Sequence, residues 1–307
     1  MTRPLAIFLM GPTASGKTQA AVELTQQLAC DIISVDSALV YRGMDIGTAK
    51  PSAELLALAP HRLIDCCEPT EVYSAATFRV DALREMADVT AKGRIPLLVG
   101  GTMLYFKALQ QGLSPLPQAD VLVREKIARR AEEKGWAYLH EQLTLLDAKA
   151  GARIHPNDPQ RIARALEVYE ITGRSLSDCW EESAAPVFPF EVRAFALSPA
   201  SRALLHERVA QRFELMLQQG LIEEVRQLLA LPGVHENLPA MRAVGYRQVI
   251  DYLQGKIDLA ELRLQGIAAT RQLAKRQLTW LRHWPDLEWL DSDDPQLVDK
   301  IVTGVRK

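Results

Sequence analysis

The sequence predicts an α/β protein with a P-loop NTPase-like parallel sheet, flanked by helices and carrying a helical inserted domain. Residues 11–18 fit the pattern G-x-x-x-x-G-K-[ST] directly after the apolar run 5–10. Further apolar runs then alternate with helical stretches, which is typical of a parallel sheet covered on both faces. A mainly helical stretch from 121 to about 180 interrupts this alternation. Together, the three observations predict the fold class.

The motif at 11–18 predicts a phosphate-binding loop. Residues 5–10 form the first strand, and glycines in the following turn let backbone N–H groups face a phosphate. Thr18 opens a helix whose positive dipole end points to the same place. We expect Lys17 to bind the outer phosphate and Thr18 Oγ to bind Mg²⁺. An ordinary glycine-rich turn is the alternative, and the flanking strand and helix favour the phosphate loop.

The elements after the loop complete the core. In chain order they are a helix over 19–28, a strand over 31–35, the stretch 61–65, a helix after Ser74, a strand over 95–99 and a last strand over 192–197. Segments with Pro and Gly, 112–117 and 184–189, mark the two ends of the insert. We therefore predict a core formed by 1–117 and 187–307, with helices from Arg202 onward packed on it, and a helical insertion domain over 118–186.

A carboxylate follows the second strand. Asp36 stands at the C-terminal end of strand 31–35, the edge where open α/β sheets place their ligands. It is a candidate base beside the phosphates. Capping of the next turn, or binding of Mg²⁺ through water, are alternatives that the spacing leaves open. Strand 95–99 is followed by Gly100, Gly101 and Thr102 and lacks the Asp that a hydrolytic NTPase usually places there.

Composition is that of a cytoplasmic enzyme. The chain has 307 residues and a net charge of −2. Its four cysteines form no C-x-x-C pair, which predicts buried free thiols: Cys30, Cys66, Cys67 and Cys179. The N-terminal apolar run of six residues is too short for a signal peptide core or a membrane span. We expect no membrane partner.

The net charge conceals a basic region. Between 241 and 284, eight Lys and Arg residues stand against three acidic residues, a local charge of +5. A helix over 267–284 would have two contrasting faces, with Arg271, Lys275 and Arg282 on one and Leu273, Trp280 and Trp284 on the other. If the aromatic side lies in the core, the basic side faces a polyanion. The alternative is the solvated face of an ordinary amphipathic helix.

The insert carries a second basic set. Asp158 can cap a helix that has Pro159 at its first position. Arg161 and Arg164, three residues apart, then share one face of that helix. Both basic sets are candidate contacts to a polyanion.

The chain resembles the tRNA dimethylallyltransferases, the isopentenyl-transferring enzymes of tRNA modification. The resemblance extends over nearly the whole length, through motifs at 11–18, 36–37, 40–51, 73–78, 99–102, 157–167, 240–247 and 270–280. Many relatives carry Gln three residues after the aspartate, where this chain has Leu39. Leu39 cannot donate a side-chain hydrogen bond to the RNA as glutamine would, so we expect its contact with the RNA to be made by the backbone.

The resemblance implies a reaction. A dimethylallyl group passes from dimethylallyl diphosphate to the exocyclic amine (N6) of the adenosine 3′-adjacent to the anticodon of tRNA, position 37, and diphosphate leaves. Because a carbon–oxygen bond breaks, no parts for hydrolysis are needed. Asp36 would take the proton of the amine. Lys17, Thr18 with Mg²⁺, and Arg212 would stabilise the leaving group, although a surface salt bridge explains Arg212 or Arg208 equally well.

The resemblance also implies which residues bind the two substrates. The diphosphate would lie on Gly11, Pro12, Thr13, Ala14, Ser15, Gly16, Lys17 and Thr18, where Thr13 fixes the diphosphate or stands between the substrates. The adenosine must be turned out of the anticodon loop to react. The tRNA would contact Asp36, Ser37, Ala38, Leu39 and Thr102 in the core, Arg124, Gln160, Arg161, Ile162, Ala163 and Arg164 in the insert, and Arg242, Ala243, Val244, Gly245, Tyr246, Arg247, Arg271, Lys275 and Arg282 in the C-terminal part. A monomer suffices for this mechanism.

Two other functions share part of the pattern. A small-molecule or nucleotide kinase has the same loop, strand-end Asp and helical insert, and would transfer a phosphoryl group from ATP. It has no need of a locally basic C-terminal region. A nucleotide-gated RNA-binding protein would have the basic region but no reason to place Asp36 at the ligand edge of the sheet.

Overall fold

This computed structural model describes residues 3–114, 116–181 and 187–306. The chain forms two compact units, one of Met1–Gln110 with Phe188–Lys307 and one of Gln111–Val187. The boundaries predicted at 117/118 and 186/187 stay predictions. Pro115, from the first Pro- and Gly-bearing segment, and residues 184–186, from the second, lie outside the described residues.

A sheet of six parallel strands forms the centre of the larger unit. The strands are β1 (Leu5–Met10), β2 (Cys30–Val35), β3 (His61–Arg62), β4 (Ile95–Gly100), β5 (Glu191–Ser198) and β6 (Leu287–Asp291), in the spatial order β3-β2-β4-β1-β5-β6. The predicted fold class, a parallel sheet flanked by helices, is confirmed. Strand β6 was not predicted, because three of its five residues are exposed at the sheet edge and its sequence does not stand out from the polar residues that follow it.

Thirteen helices occur in the part of the chain that the structure describes. They are α1 (Lys17–Gln27), α2 (Ala53–Leu58), α3 (Ala75–Ala91), α4 (Met103–Gln111), α5 (Val121–Leu146), α6 (Ala148–Arg153), α7 (Pro159–Thr172), α8 (Leu176–Glu181), α9 (Arg202–Gln218), α10 (Leu221–Leu229), α11 (Tyr246–Leu253), α12 (Leu259–Leu281) and α13 (Leu297–Arg306). Helix α12 therefore begins eight residues before the predicted start and ends three before the predicted end.

Strand β1 explains why helices cover both faces of the sheet. Phe8 and Met10 point into a cluster with α3 and α4, while Ile7 and Leu9 point into a second cluster with α1 and α13. Successive side chains of a strand alternate between faces, so a strand that is apolar at every position needs a layer on each side. The central strand is thus held by two separate cores.

Helices α9 to α12 form a third cluster beside the sheet. It includes Phe213 from α9 and Leu262 from α12. Gly266 allows the two helices to approach closely, since a Cβ there would lie 2.0 Å from the ring of Phe213. This packing fixes which face of α12 turns inward.

The four described cysteines are free thiols, as predicted, but only three are buried. Cys66 is exposed and Cys67 is packed in the third cluster. Both backbone N–H groups donate to Val40 O, at 2.9 and 3.0 Å. Because adjacent side chains of such a segment diverge, one thiol turns to solvent while its neighbour turns inward.

The smaller unit has its own helical core, formed by α5 to α8. Asp158 accepts a hydrogen bond from Arg161 N at 3.1 Å, and Pro159 is the first residue of α7. The predicted cap is confirmed. Among the described residues, no helix combines the length and the apolar character needed to cross a membrane.

Candidate active site

The loop predicted to bind phosphate joins β1 to α1. Its lysine turns back onto the loop, where Lys17 Nζ donates to Pro12 O at 2.6 Å and to Ser15 Oγ at 3.3 Å. Ala14 has φ of 63°, in the left-handed region that costs a non-glycine residue energy. Thr18 is exposed in the first turn of α1. The loop thus has the conformation expected of an anion cradle, with a cation at its centre.

Two cations meet at this loop. Burial and the nearby Arg212 guanidinium lower the pKa of Lys17 to about 7, although Asp36 acts in the opposite direction. Burial also lowers the pKa of Arg212, again opposed by Asp36. The side chain of Arg212 has neither a hydrogen bond nor an ion pair among the described residues. Two cations held together without a paired anion form a site that favours an added anion.

Asp36 lies half-buried next to these cations. Its Oδ1 accepts hydrogen bonds from Ala38 N at 2.8 Å and Leu39 N at 3.2 Å. The capping alternative is therefore real, but it uses one carboxylate oxygen only. No hydrogen bond reaches Oδ2 from the described residues, so that oxygen is open to a ligand.

The ends of β2 and β4 meet beside Asp36. Ser37 N donates to Thr102 Oγ1 at 3.1 Å, and the hydroxyl of Thr102 lies 3.4 Å from Ser37 Oγ. Two residues assigned to the same part of the site from sequence, 65 positions apart, are thus brought together. Leu39 has both backbone groups engaged, since its carbonyl accepts from Asp65 N at 3.2 Å.

Glu224 is a residue that sequence reasoning missed. Its carboxylate accepts hydrogen bonds from the backbone of residues 45–47 at 2.6 to 3.1 Å and from Tyr246 Oη at 2.6 Å. It therefore ties α11 to the loop that follows Asp36. An acidic residue in the first turn of a helix is ordinary, so the sequence carried no signal for this role.

The segment 242–247 divides into exposed and buried residues. Arg242 and Arg247 are exposed, Ala243 and Val244 are half-buried, and Gly245 and Tyr246 are buried. The side chain of Tyr246 is a core residue bonded to Glu224. Only the two arginines of this segment present charged groups to solvent.

Helix α12 turns a different face inward from the one predicted. Trp280 is 38% exposed, whereas Ala274 and Leu281 are buried. Trp284, beyond the end of the helix, packs edge-on against Phe106, with 6.3 Å between the ring centroids. The close approach of α12 to α9 shifts the buried line by one residue, which corrects the prediction of a buried aromatic face.

The three basic residues assigned to α12 are not equivalent. Lys275 and Arg282 are exposed. Arg271 is half-buried, with its guanidinium Nη2 3.5 Å from His206 O and a buried Nε that has no partner. Of these three residues, Lys275 and Arg282 are therefore the ones that present their charge to solvent.

Glu167 organises the arginines of the smaller unit. It is fully buried and accepts hydrogen bonds from Arg124 Nε at 2.8 Å, Arg164 Nη1 at 2.6 Å and Asp120 N at 2.9 Å. Arg164 also donates to Pro117 O at 2.6 Å. Arg124 and Arg164 thus have structural partners within the unit.

The other residues assigned to RNA in this unit lie on the first turns of α7. Gln160 and Arg161 are exposed and Ala163 is half-buried, but Ile162 is packed in the helical core. Within the described part of the chain, the side chain of Arg161 has one partner, Asp158, its own cap, in an ion pair of 3.3 Å. Gln160 and Arg161 are therefore the accessible polar groups here.

Gln277 is a second residue that the sequence did not point to. It lies on α12, and its side chain accepts from Thr13 N and donates to Gly101 O, each at 2.9 Å. One amide thereby joins the phosphate loop to the end of β4. The residue falls within a motif of the resemblance, yet glutamine on a helix carries no chemical signature of its own.

The donor set suits a Mg²⁺ ion that is held mainly by phosphate. No group of three or more His, Cys, Asp or Glu residues that could hold a metal exists among the described residues. Thr18 offers one hydroxyl at the start of α1. Mg²⁺ keeps several waters and is often bound through one or two protein groups and substrate phosphates, so these residues fit the ion.

Comparisons with known proteins identify the family. The family model for IPP transferase matches residues 39–284. The chain belongs to this family. The tRNA isopentenylpyrophosphate transferase of Bacillus halodurans is 34% identical, with 99% of this chain and 97% of that chain covered and a TM-score of 0.72. The tRNA delta(2)-isopentenylpyrophosphate transferase of Staphylococcus epidermidis is 31% identical, with 99% of each chain covered and a TM-score of 0.71.

A third structure extends the likeness in fold. It is a eukaryotic dimethylallyltransferase acting on tRNA, with 24% identity, 98% of this chain and 77% of that chain covered, and a TM-score of 0.80. This IPP transferase is therefore an enzyme of the transferase class with the fold of its family. A transferase does not need the aspartate that a hydrolytic NTPase usually places after the strand that ends at Gly100.

Proposed function

We propose that this IPP transferase moves a dimethylallyl group from dimethylallyl diphosphate to N6 of the adenosine 3′-adjacent to the anticodon of tRNA, position 37. One observation carries the assignment. Lys17 and Arg212 meet beside Asp36 without a paired anion, at the loop between β1 and α1. Such a site offers positive charge to a leaving diphosphate and a carboxylate to an attacking amine.

Asp36 is the proposed base. As N6 attacks the first carbon of the allyl group, the nitrogen–carbon bond forms and the carbon–oxygen bond to the diphosphate breaks. The amine becomes acidic and gives its proton to Asp36 Oδ2, the oxygen left open by the turn. The hydrogen bonds to Oδ1 fix the orientation of the carboxylate, which leaves Oδ2 to accept the proton of the amine.

The leaving diphosphate takes the electron pair of the broken bond. Lys17, Arg212 and the amides of the phosphate loop stabilise the added charge, with Thr13 at the outer end of the loop. Thr18 would hold Mg²⁺, which supplies further charge compensation on the phosphate oxygens when bound. Arg208 has other partners, because its guanidinium donates to Ser292 and Asp293.

The tRNA side uses exposed cations and the ends of two strands. Ser37, Ala38 and Thr102 would line the opening through which the flipped adenine enters. Arg242, Arg247, Lys275 and Arg282 would contact the phosphate backbone, with Gln160 and Arg161 from the smaller unit. We infer that a cytoplasmic monomer carries out the reaction, since one chain supplies every group named.

The test is mass spectrometry of an anticodon stem-loop RNA incubated with the protein, Mg²⁺ and either dimethylallyl diphosphate or ATP. We expect one five-carbon unit on a single adenosine, with the allylic donor only. An RNA with guanosine at that position is the matched control. Turnover of ATP stimulated by a small acceptor, without any allylated RNA, would mean that the loop is that of a kinase.

A further inference from the structure

The outer end of the phosphate loop is closed by protein contacts. Pro12 has no backbone N–H, and Thr13 N–H is occupied by Gln277 Oε1 at 2.9 Å. The Pro12 carbonyl accepts from the ammonium of Lys17 at 2.6 Å. Neither residue therefore offers a free backbone donor to a phosphate.

The inner end of the loop is different. The backbone N–H groups of Ala14, Ser15, Gly16, Lys17 and Thr18 have no protein acceptor among the described residues. Orphan N–H groups at the start of a helix are the usual donors to a bound anion. The free donors thus extend from α1 only as far as Ala14, which limits the length of a phosphate chain that the loop can hold.

Gln277 also fixes the loop relative to the base. Its Nε2 donates to Gly101 O at 2.9 Å, and a Cβ on Gly101 would lie 2.4 Å from Nε2. Only glycine permits this approach. The next residue, Thr102, accepts from Ser37 N, the neighbour of Asp36. One side chain therefore joins the ends of β1 and β4, and through Thr102 the end of β2.

We propose that Gln277 is a positioning residue that selects a diphosphate over a triphosphate, by occupying Thr13 N–H and holding the loop in register with Asp36. The inference rests on the proposed function, because it concerns the donor bound at the same loop. A third phosphate would meet an amide that is already bonded. A diphosphate needs only the free amides and the two cations.

The test measures binding of pyrophosphate and tripolyphosphate, each with Mg²⁺, by isothermal titration calorimetry. Gln277→Met keeps the volume of the side chain but frees Thr13 N–H. We expect the ratio of the two affinities to shift about tenfold towards tripolyphosphate, the effect of one hydrogen bond to a charged group. Gln272→Met, an exposed position on the same helix, should leave the ratio unchanged.

A second variant separates selection from packing. Gln277→Glu keeps an oxygen for Thr13 N–H, so the ratio should not shift towards tripolyphosphate, while its negative charge weakens binding of both ligands. In the transfer assay, Gln277→Met should raise the KM for the donor and lower kcat. An unchanged ratio in Gln277→Met, or equal weakening of both ligands with a lowered Tm, overturns the inference. A wild type that binds neither ligand and transfers nothing overturns the proposed function instead.

Discussion

Two clusters in this protein each contain one carboxylate and two cations. In one the carboxylate is bonded to the cations, and in the other it is not. Glu167 is hydrogen-bonded to Arg124 and Arg164. Asp36 lies beside Lys17 and Arg212, yet bonds to neither among the described residues. The first cluster is complete and stabilises a helical core. In the second, the carboxylate is bonded to backbone amides and not to the cations, which leaves those cations available to a substrate.

The pKa shifts follow this difference. Burial alone raises the pKa of Glu167, but the hydrogen bonds from Arg124, Arg164 and the Asp120 amide lower it below its ordinary value. At the other cluster the pKa values of the cations change: burial lowers the pKa of both Lys17 and Arg212. A paired carboxylate favours its charged form, whereas crowded, buried cations resist theirs.

The largest effect is expected at Asp36. Asp36→Asn keeps an oxygen for the amides of Ala38 and Leu39 but removes the proposed base, so turnover should fall about 10²–10⁴-fold. Asp36→Ala should lose most turnover as well. Single-turnover transfer and a stem-loop binding assay measure both steps. Binding of RNA should persist in both variants, and near-normal turnover would show that Asp36 is not the base.

At Glu167 the effect should be on stability. Glu167→Ala leaves two arginines around a buried site, which costs about 3 kcal/mol of unfolding free energy, the lower end for a buried pair because the arginines are partly exposed. Chemical denaturation followed by the circular dichroism of the helices measures it. Glu181→Ala, at an exposed ion pair with Lys149, is the control and should change little.

Glu167 also predicts how stability depends on pH. Its folded-state pKa is lowered, so its stabilising contribution is fully present above the unfolded-state value of about 4.5 and disappears as the pH falls through the folded-state pKa. Glu167→Ala should therefore lose less stability on acidification than the wild type. Denaturation curves at pH 7 and below pH 4 compare the two, and parallel losses would contradict the assignment.

Lys17 should make donor binding depend on pH. An anion favours the protonated lysine, whose pKa in the free protein is about 7. Affinity for pyrophosphate should thus fall about tenfold between pH 7 and 8.5, with proton uptake on binding that calorimetry in two buffers detects. Lys17→Arg stays charged and corrects for titration of the ligand itself. The same fall in Lys17→Arg would exclude Lys17 as the cause.

The smallest effects are expected on the RNA side. Lys275→Glu and Arg282→Glu should each weaken stem-loop binding and reduce the salt slope by about 1. Arg271→Glu should weaken binding and flatten the salt dependence too, but it also places a carboxylate in a half-buried site and should lower Tm. Arg306→Glu, exposed on α13, makes the same change of charge elsewhere. Equal weakening by Arg306→Glu would remove α12 from the interface.

Local signals in the sequence determined the sheet and the loop. Glycine spacing predicted the turn after Met10, and the alternation of apolar runs with helical stretches predicted a parallel sheet covered on both faces, because these patterns are local in the chain. The cap at Asp158 was predictable for the same reason. Asp36 could be placed at the ligand edge, since a residue that follows a parallel strand has no other position.

Tertiary structure decided what depends on distant residues. Gln277 reaches Thr13 across 264 positions, and Glu224 holds a loop 177 to 179 positions away. No sequence pattern around Gln277 or Glu224 predicts these partners. The inward face of α12 was likewise set by Phe213 against Gly266, not by the most apolar letters of the helix. Sequence patterns specify local geometry, whereas partners and exposed faces follow from how the elements pack.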